Sequence, residues 1–162
     1  MHSFIFQVST NPIHREDFIN PNRINEGEMA YIEYVSELNE TERKHRIKGI
    51  VENLLSKGMF TLNPDGESVT YKGGYTEWSK KYAEGIHDRA NVINPSNLMK
   101  GTGSVWQLQK YIVNPLATDC LFVLAFYGGE GTAERSRSLM KIVSDLTIGQ
   151  KLYFGEVFDY HF

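Results

Sequence analysis

The period of apolar positions changes several times along this chain, and each change marks an element. The stretch His2-Ser3-Phe4-Ile5-Phe6-Gln7-Val8 alternates with the two-residue period of a strand and is soon followed by Asn11-Pro12. Cys120-Leu121-Phe122-Val123-Leu124-Ala125-Phe126-Tyr127 carries no charge, the pattern of a strand buried on both faces at the centre of a sheet. From Asn39, placed with Glu42 as in a capping box, Ile47, Ile50, Val51, Leu54 and Leu55 recur at helical spacing up to Gly58. From Thr76, the residues Trp78, Tyr82 and Ile86 share one side of a second helix, which Asn94-Pro95 stops. Between these helices, residues 59–62 and Ser68–Tyr71 flank Asn63-Pro64-Asp65-Gly66, a turn that closes a hairpin. Ser104–Val113 puts Val105, Leu108 and Ile112 on one face and reads as a short helix, with a strand as the alternative.

After the uncharged run comes a glycine-rich turn, Gly128-Gly129-Glu130-Gly131. Thr132 follows as the cap of a helix whose Leu139, Ile142, Val143 and Leu146 face inward. Residues 151–162 close the chain as a strand with Leu152, Phe154, Phe158 and Tyr160 on one face and a bulge at Gly155. Residues 11–27 hold two prolines and four asparagines and read as a long loop with one helical turn near Glu16-Asp17-Phe18. Residues 28–38 suit either period and are read as strand. The order of elements predicts an α+β fold, a largely antiparallel sheet of about five or six strands with two or three helices packed mainly on one face. No linker divides the chain, so residues 1–162 are expected to form a single domain.

Composition narrows the class. A net charge of −3 argues against a strongly basic nucleic-acid coat. One cysteine cannot close an internal disulfide, which favours a reducing, cytoplasmic setting. The longest apolar run has eight residues, far short of the roughly 20 that a membrane-spanning helix requires. The alternating N-terminus is unlike the apolar centre of a signal peptide, so the expectation is a soluble cytoplasmic protein with no membrane partner.

Candidate chemistry is sparse. Strand, glycines and helix start would together present backbone N–H groups to an anion, which makes Gly128, Gly129, Gly131 and Thr132 a candidate anion site. The lysine and following serine or threonine of a nucleotide-binding loop are missing, and Glu130 would repel a phosphate, so a plain strand-to-helix connection competes with that reading. The basic run Arg43-Lys44-His45-Arg46, with Lys48, opens a helix that leads into the hairpin, a faint winged-helix pattern weakened by Glu40 and Glu42 in the same turn. His87-Asp88-Arg89 occupies consecutive helix positions that cannot converge on one substrate. Asp159 and His161 share a strand face but are too few for a metal site, and Cys120 fits a small core residue better than a nucleophile.

No acid, base, nucleophile or ligand set converges. The reading is therefore a binding or interaction domain without catalysis, with another protein or a small ligand as its partner and with no metal or cofactor. Its expected interaction surface includes Tyr153 and Val157, placed by alternation on the last strand, and Arg43 and Arg46 on the first helix. Exposed tyrosines and the loops at 11–27 and 96–103 would add to it. Two alternatives stand beside this reading. One is a small enzyme with a pocket near the Gly128 to Gly131 turn; the other is a winged-helix-like DNA binder acting through the cations from Arg43 to Lys48.

Overall fold

The computed structural model describes residues 1–124 and 131–162. Its strands are β1 (His2–Ser9), β2 (Ile24–Glu26), β3 (Tyr34–Glu37), β4 (Phe60–Leu62), β5 (Ser68–Tyr71), β6 (Leu121–Leu124), β7 (Gly131–Glu134) and β8 (Lys151–His161). Its α-helices are α1 (Glu40–Gly49), α2 (Tyr75–Asn91), α3 (Ser104–Val113) and α4 (Arg137–Ser144), and a π-helical turn, Ile50–Leu54, extends α1. One sheet takes in all eight strands in the order β2-β7-β6-β1-β8-β5-β4, with β3 also paired to β8.

The expectation of a largely antiparallel sheet of five or six strands with two or three helices is overturned. Among the described residues there are eight strands and four α-helices, and the sheet is mixed: β1 runs parallel to β6, and β2 parallel to β7. The parallel pairs escape a reading from element order because each joins segments about a hundred residues apart in the chain. The strands beyond those expected are β2 and β7, of three and four residues, too few to show a period; β2 lies in the expected loop and β7 where a turn and a helix cap were expected.

One face of the sheet carries Phe6, Val8, Phe122, Leu152, Phe154 and Val157, covered by Ile47 and Ile50 of the first helix and by Leu139, Met140 and Val143 of α4. Phe6 stacks on Phe122 with centroids 5.9 Å apart and meets Phe154 edge-on at 6.2 Å. The other face, with Ile5, Leu121, Val123, Phe158 and Tyr160, is covered by Ile19, Ile24, Ala30 and Ile32 rather than by a helix. The segment from 11 to 27, expected as a long loop, thus supplies Ile19 and Ile24 to a lid on the second core.

β8 changes face at its middle. Its pairing with β1 slips between Phe6, opposite Val157, and Val8, opposite Phe154, which is a bulge at Gly155 and Glu156. Leu152 and Phe154 therefore share a core with Val157, while Phe158 and Tyr160 lie in the other core, and the expected single face of all four aromatic and aliphatic residues is corrected. A Cβ at Gly155 would lie 2.7 Å from Cδ of Gln7, so only glycine fits. The buried Gln7 uses its carbonyl oxygen to accept from the N–H groups of Glu156 (3.0 Å) and Ile19 (3.2 Å), and its amide donates to the Asp17 carbonyl at 2.9 Å.

Along its other edge, β8 pairs with β5 near its start and with β3 near its end, leaving residues 154–157 without a strand beside them there among the described residues. Arg43 of α1 fills that gap. Its guanidinium donates to the Gly155 carbonyl at 2.6 Å and to the Phe154 carbonyl at 3.5 Å, and it bonds Glu40 at 3.2 Å and Glu67 more closely still. Arg15 joins the same carboxylates at 2.8 and 3.0 Å, Lys44 lies 3.3 Å from Glu40, and the Phe18 ring lies under both guanidinium groups. α1 starts here because Asn39 accepts from the Glu42 N–H at 3.0 Å and donates to the Glu42 carboxylate at 2.7 Å, as the capping pattern predicted.

The Arg43 hydrogen bond, with help from Arg15, holds the Glu40 carboxyl down at about 2, below its ordinary value of 4.5. The folded state thus favours the ionised form. That stabilisation is fully present above the ordinary value and is lost as the pH falls through it toward about 2. In urea titrations across that acid range, Glu40→Gln is expected to flatten the loss of stability relative to the parent chain; parallel curves would contradict a folded-state role for this carboxylate.

Candidate functional site

The helix pair α2 and α3 touches the rest of the molecule through a small part of its surface. None of the seventeen residues of α2 is buried, although the helix carries an apolar stripe. Only the start of that stripe, Tyr75 and Trp78, packs against the first core, and α3 buries Val113. Onward from the core the stripe builds an aromatic ladder: Tyr75 meets Trp78 at 5.5 Å, Trp78 stacks on Tyr82 at 5.1 Å, and Tyr82 meets Tyr111 of α3 at 5.4 Å. The Tyr82 hydroxyl donates to the Ile112 carbonyl at 2.8 Å, and burial raises its pKa. Arg89 caps the ladder, its guanidinium 3.6 Å from the Tyr111 ring centre. Where the helices cross, a Cβ at Gly85 would lie 2.8 Å from Cζ of Tyr111, so the mid-helix glycine permits the contact.

The connection at the far end of this arm exposes large apolar side chains: Val92 is 58% exposed, Leu98 48% and Met99 92%. At the arm's foot, where residues 56–59, Lys72-Gly73-Gly74 and the start of α2 meet, lies a groove of about 350 Å³. Lys57, Lys72 and Lys81 line it together with Trp78 and Glu77. A second groove of about 550 Å³ runs between the end of α4 and the start of β8, with Ile142, Leu146, Asp145, Lys151 and Tyr153 in its walls.

The residues singled out in the sequence are dispersed. Gly131 and Thr132 belong to β7, paired with Ile24 and Asn25, and α4 starts only at Arg137, so Thr132 caps no helix. Gly128, Gly129 and Glu130 lie outside the described residues. Val157 is fully buried and Arg43 is 1% exposed, which removes both from the expected interaction surface: the bulge turns Val157 inward, and the gap in β8 draws Arg43 in. Tyr153 is half-buried in the wall of the larger groove, and Arg46 is exposed with its guanidinium 4.1 Å above the Phe4 ring. The other helix cations are engaged within the fold as well, Lys44 with Glu40 and Lys48 with Glu52, so α1 offers little free charge to a nucleic acid.

Asp159 pairs with His2 at 3.0 Å, and His161 bonds Glu33 at 2.5 Å and stacks on Tyr34 at 5.3 Å. Among the described residues no group of three or more His, Cys, Asp or Glu side chains is arranged to hold a metal ion. Cys120 accepts from the Ser3 hydroxyl at 3.7 Å. Beside it the Tyr160 hydroxyl donates to the Asp119 carbonyl, and burial pushes the Tyr160 pKa up to about 12. Burial likewise raises Glu156, despite the nearby Arg43.

Sequence reasoning found both arm helices but not their packing on each other. Two signals pointed to it: the stripe on α2 is largely aromatic, and a glycine sits inside the helix. Comparison with protein families, with curated proteins and with solved structures finds no match to this chain.

Intrinsic propensity favours alanine over glycine inside a helix by about 1 kcal/mol. Gly85→Ala is nonetheless expected to lower stability in urea unfolding by about 1–2 kcal/mol, because the added methyl must push Tyr111 off the ladder. A gain in stability would contradict the close crossing.

Proposed function

We propose that this chain is a binding domain without a catalytic role, and that it works by presenting the α2–α3 arm to another protein. The observation that carries the reading is a seventeen-residue helix with no fully buried residue, joined to a connection whose apolar side chains face solvent. Most of the cover of the sheet face on which α1 lies comes from the first helix and α4, and the arm adds only Tyr75 and Trp78 at its foot. Met99 and Leu98 are anchors of the kind that fill a partner's pocket. Residues 91–103 contain no carboxylate and one cation, Lys100, so the fitting partner is an apolar cleft rimmed by acidic residues.

A reducing, cytoplasmic location belongs to the same reading and is supported by the single cysteine, a free thiol. Among the described residues no helix is long and apolar enough to cross a membrane.

The test is recovery of complexes from cells that carry the tagged chain at its natural level. The parent chain is expected to bring down a stoichiometric protein partner whose cross-links to Met99 map to an acid-rimmed apolar surface. Leu98→Asp combined with Met99→Asp should lower recovery by about tenfold or more, whereas Glu16→Lys, an exposed position outside the arm, should leave it unchanged. Failure to recover a stoichiometric partner, or recovery indifferent to the arm substitutions, would overturn the proposal.

A further inference from the structure

The groove at the foot of the arm concentrates positive charge in an acidic protein. Lys57 comes from the turn before β4, Lys72 from the residue after β5 and Lys81 from the second turn of α2, so three separate segments bring a lysine to one concavity. None of the three forms an ion pair with a described carboxylate, although Glu77 lines the same groove. The cations of the first helix differ, since Arg43, Lys44 and Lys48 all face carboxylates. Three ammonium groups against the single carboxylate of Glu77 leave the groove with net positive charge, and an anion in it offsets that excess.

The walls refine the ligand. Trp78 supplies a half-exposed apolar side, Gly73 and Gly74 leave the backbone open, and about 350 Å³ suits a small organic molecule rather than a bare ion. α2 begins at Gly74 with no side-chain cap, so its positive end adds to the lysine field without being required for the assignment. We propose that this groove binds a small phosphorylated molecule, with its phosphate among Lys57, Lys72 and Lys81 and its apolar body against Trp78.

The groove is separate from the tip of the arm, so this assignment and the protein-binding reading fail independently. The test is calorimetric titration of the full chain with phenyl phosphate and, in parallel, with inorganic phosphate. Saturable binding of phenyl phosphate is expected, tighter than that of inorganic phosphate by about fivefold or more because the ring covers apolar surface. Replacing Lys57, Lys72 and Lys81 together by glutamine should weaken it by about tenfold or more, with circular dichroism confirming an unchanged fold. The Leu98→Asp and Met99→Asp variant should bind phenyl phosphate like the parent. No saturable binding, equal affinity for the two probes, or an equal loss when Lys100, Lys110 and Lys141 are neutralised instead would each overturn the assignment.

Discussion

The seat of the Arg43 guanidinium on the bulge of β8 is the contact through which the parts of this molecule meet. A strand that crosses from one core to the other must insert a residue, and the insertion leaves a carbonyl and an N–H out of the regular ladder. Here the two are satisfied from opposite sides. Gln7 accepts from the Glu156 N–H, and Arg43 donates to the Gly155 carbonyl. Removing a guanidinium from water costs several kcal/mol unless it is paired, and Glu40 and Glu67, only partly buried themselves, supply the pairing. Because Arg15 reaches the same carboxylates, the cluster also clips the lid segment that covers the second core. The first helix, the hairpin turn, the lid and the longest strand thus share one network.

That network explains how the helices divide their labour. With α1 anchored at the gap in β8 and α4 laid over Leu139 and Val143, the core on that side is closed. The other core is closed by the lid, pinned through Gln7 to Asp17 and Ile19. α2 and α3 touch the core only through Tyr75, Trp78 and Val113 and otherwise pack on each other through aromatic rings, which supply large contact area between them. Their tip and their foot differ in character. The tip is apolar and nearly uncharged, and the foot is a lysine-lined groove. One arm therefore carries two surfaces with different chemistry.

Much of this plan was legible in the sequence where a period runs long enough. The first strand, the capped helix at Asn39, the hairpin around Asn63-Pro64-Asp65-Gly66, both arm helices and the bulge at Gly155 all follow from local pattern. β2 did not, because a three-residue edge strand inside a polar stretch has no pattern to detect. The parallel pairing of β1 with β6 depends on contacts across more than a hundred residues. The misplacement of Val157 and Arg43 has a single cause: a bulge inverts every face beyond it, and it opens the gap that draws a basic residue inside. At the foot of the arm, the three lysines are scattered between positions 57 and 81, so only the folded chain shows that they meet.

The most direct measurement is the urea unfolding free energy of Arg43→Met, which keeps an unbranched apolar stem and removes the donors. If the guanidinium holds the bulge, the substitution leaves the Gly155 carbonyl without its donor and takes from Glu40 and Glu67 the buried member of their cation cluster, and stability falls by about 2–4 kcal/mol. A variant as stable as the parent to within about 0.5 kcal/mol, or more stable, would contradict the central place given to this contact.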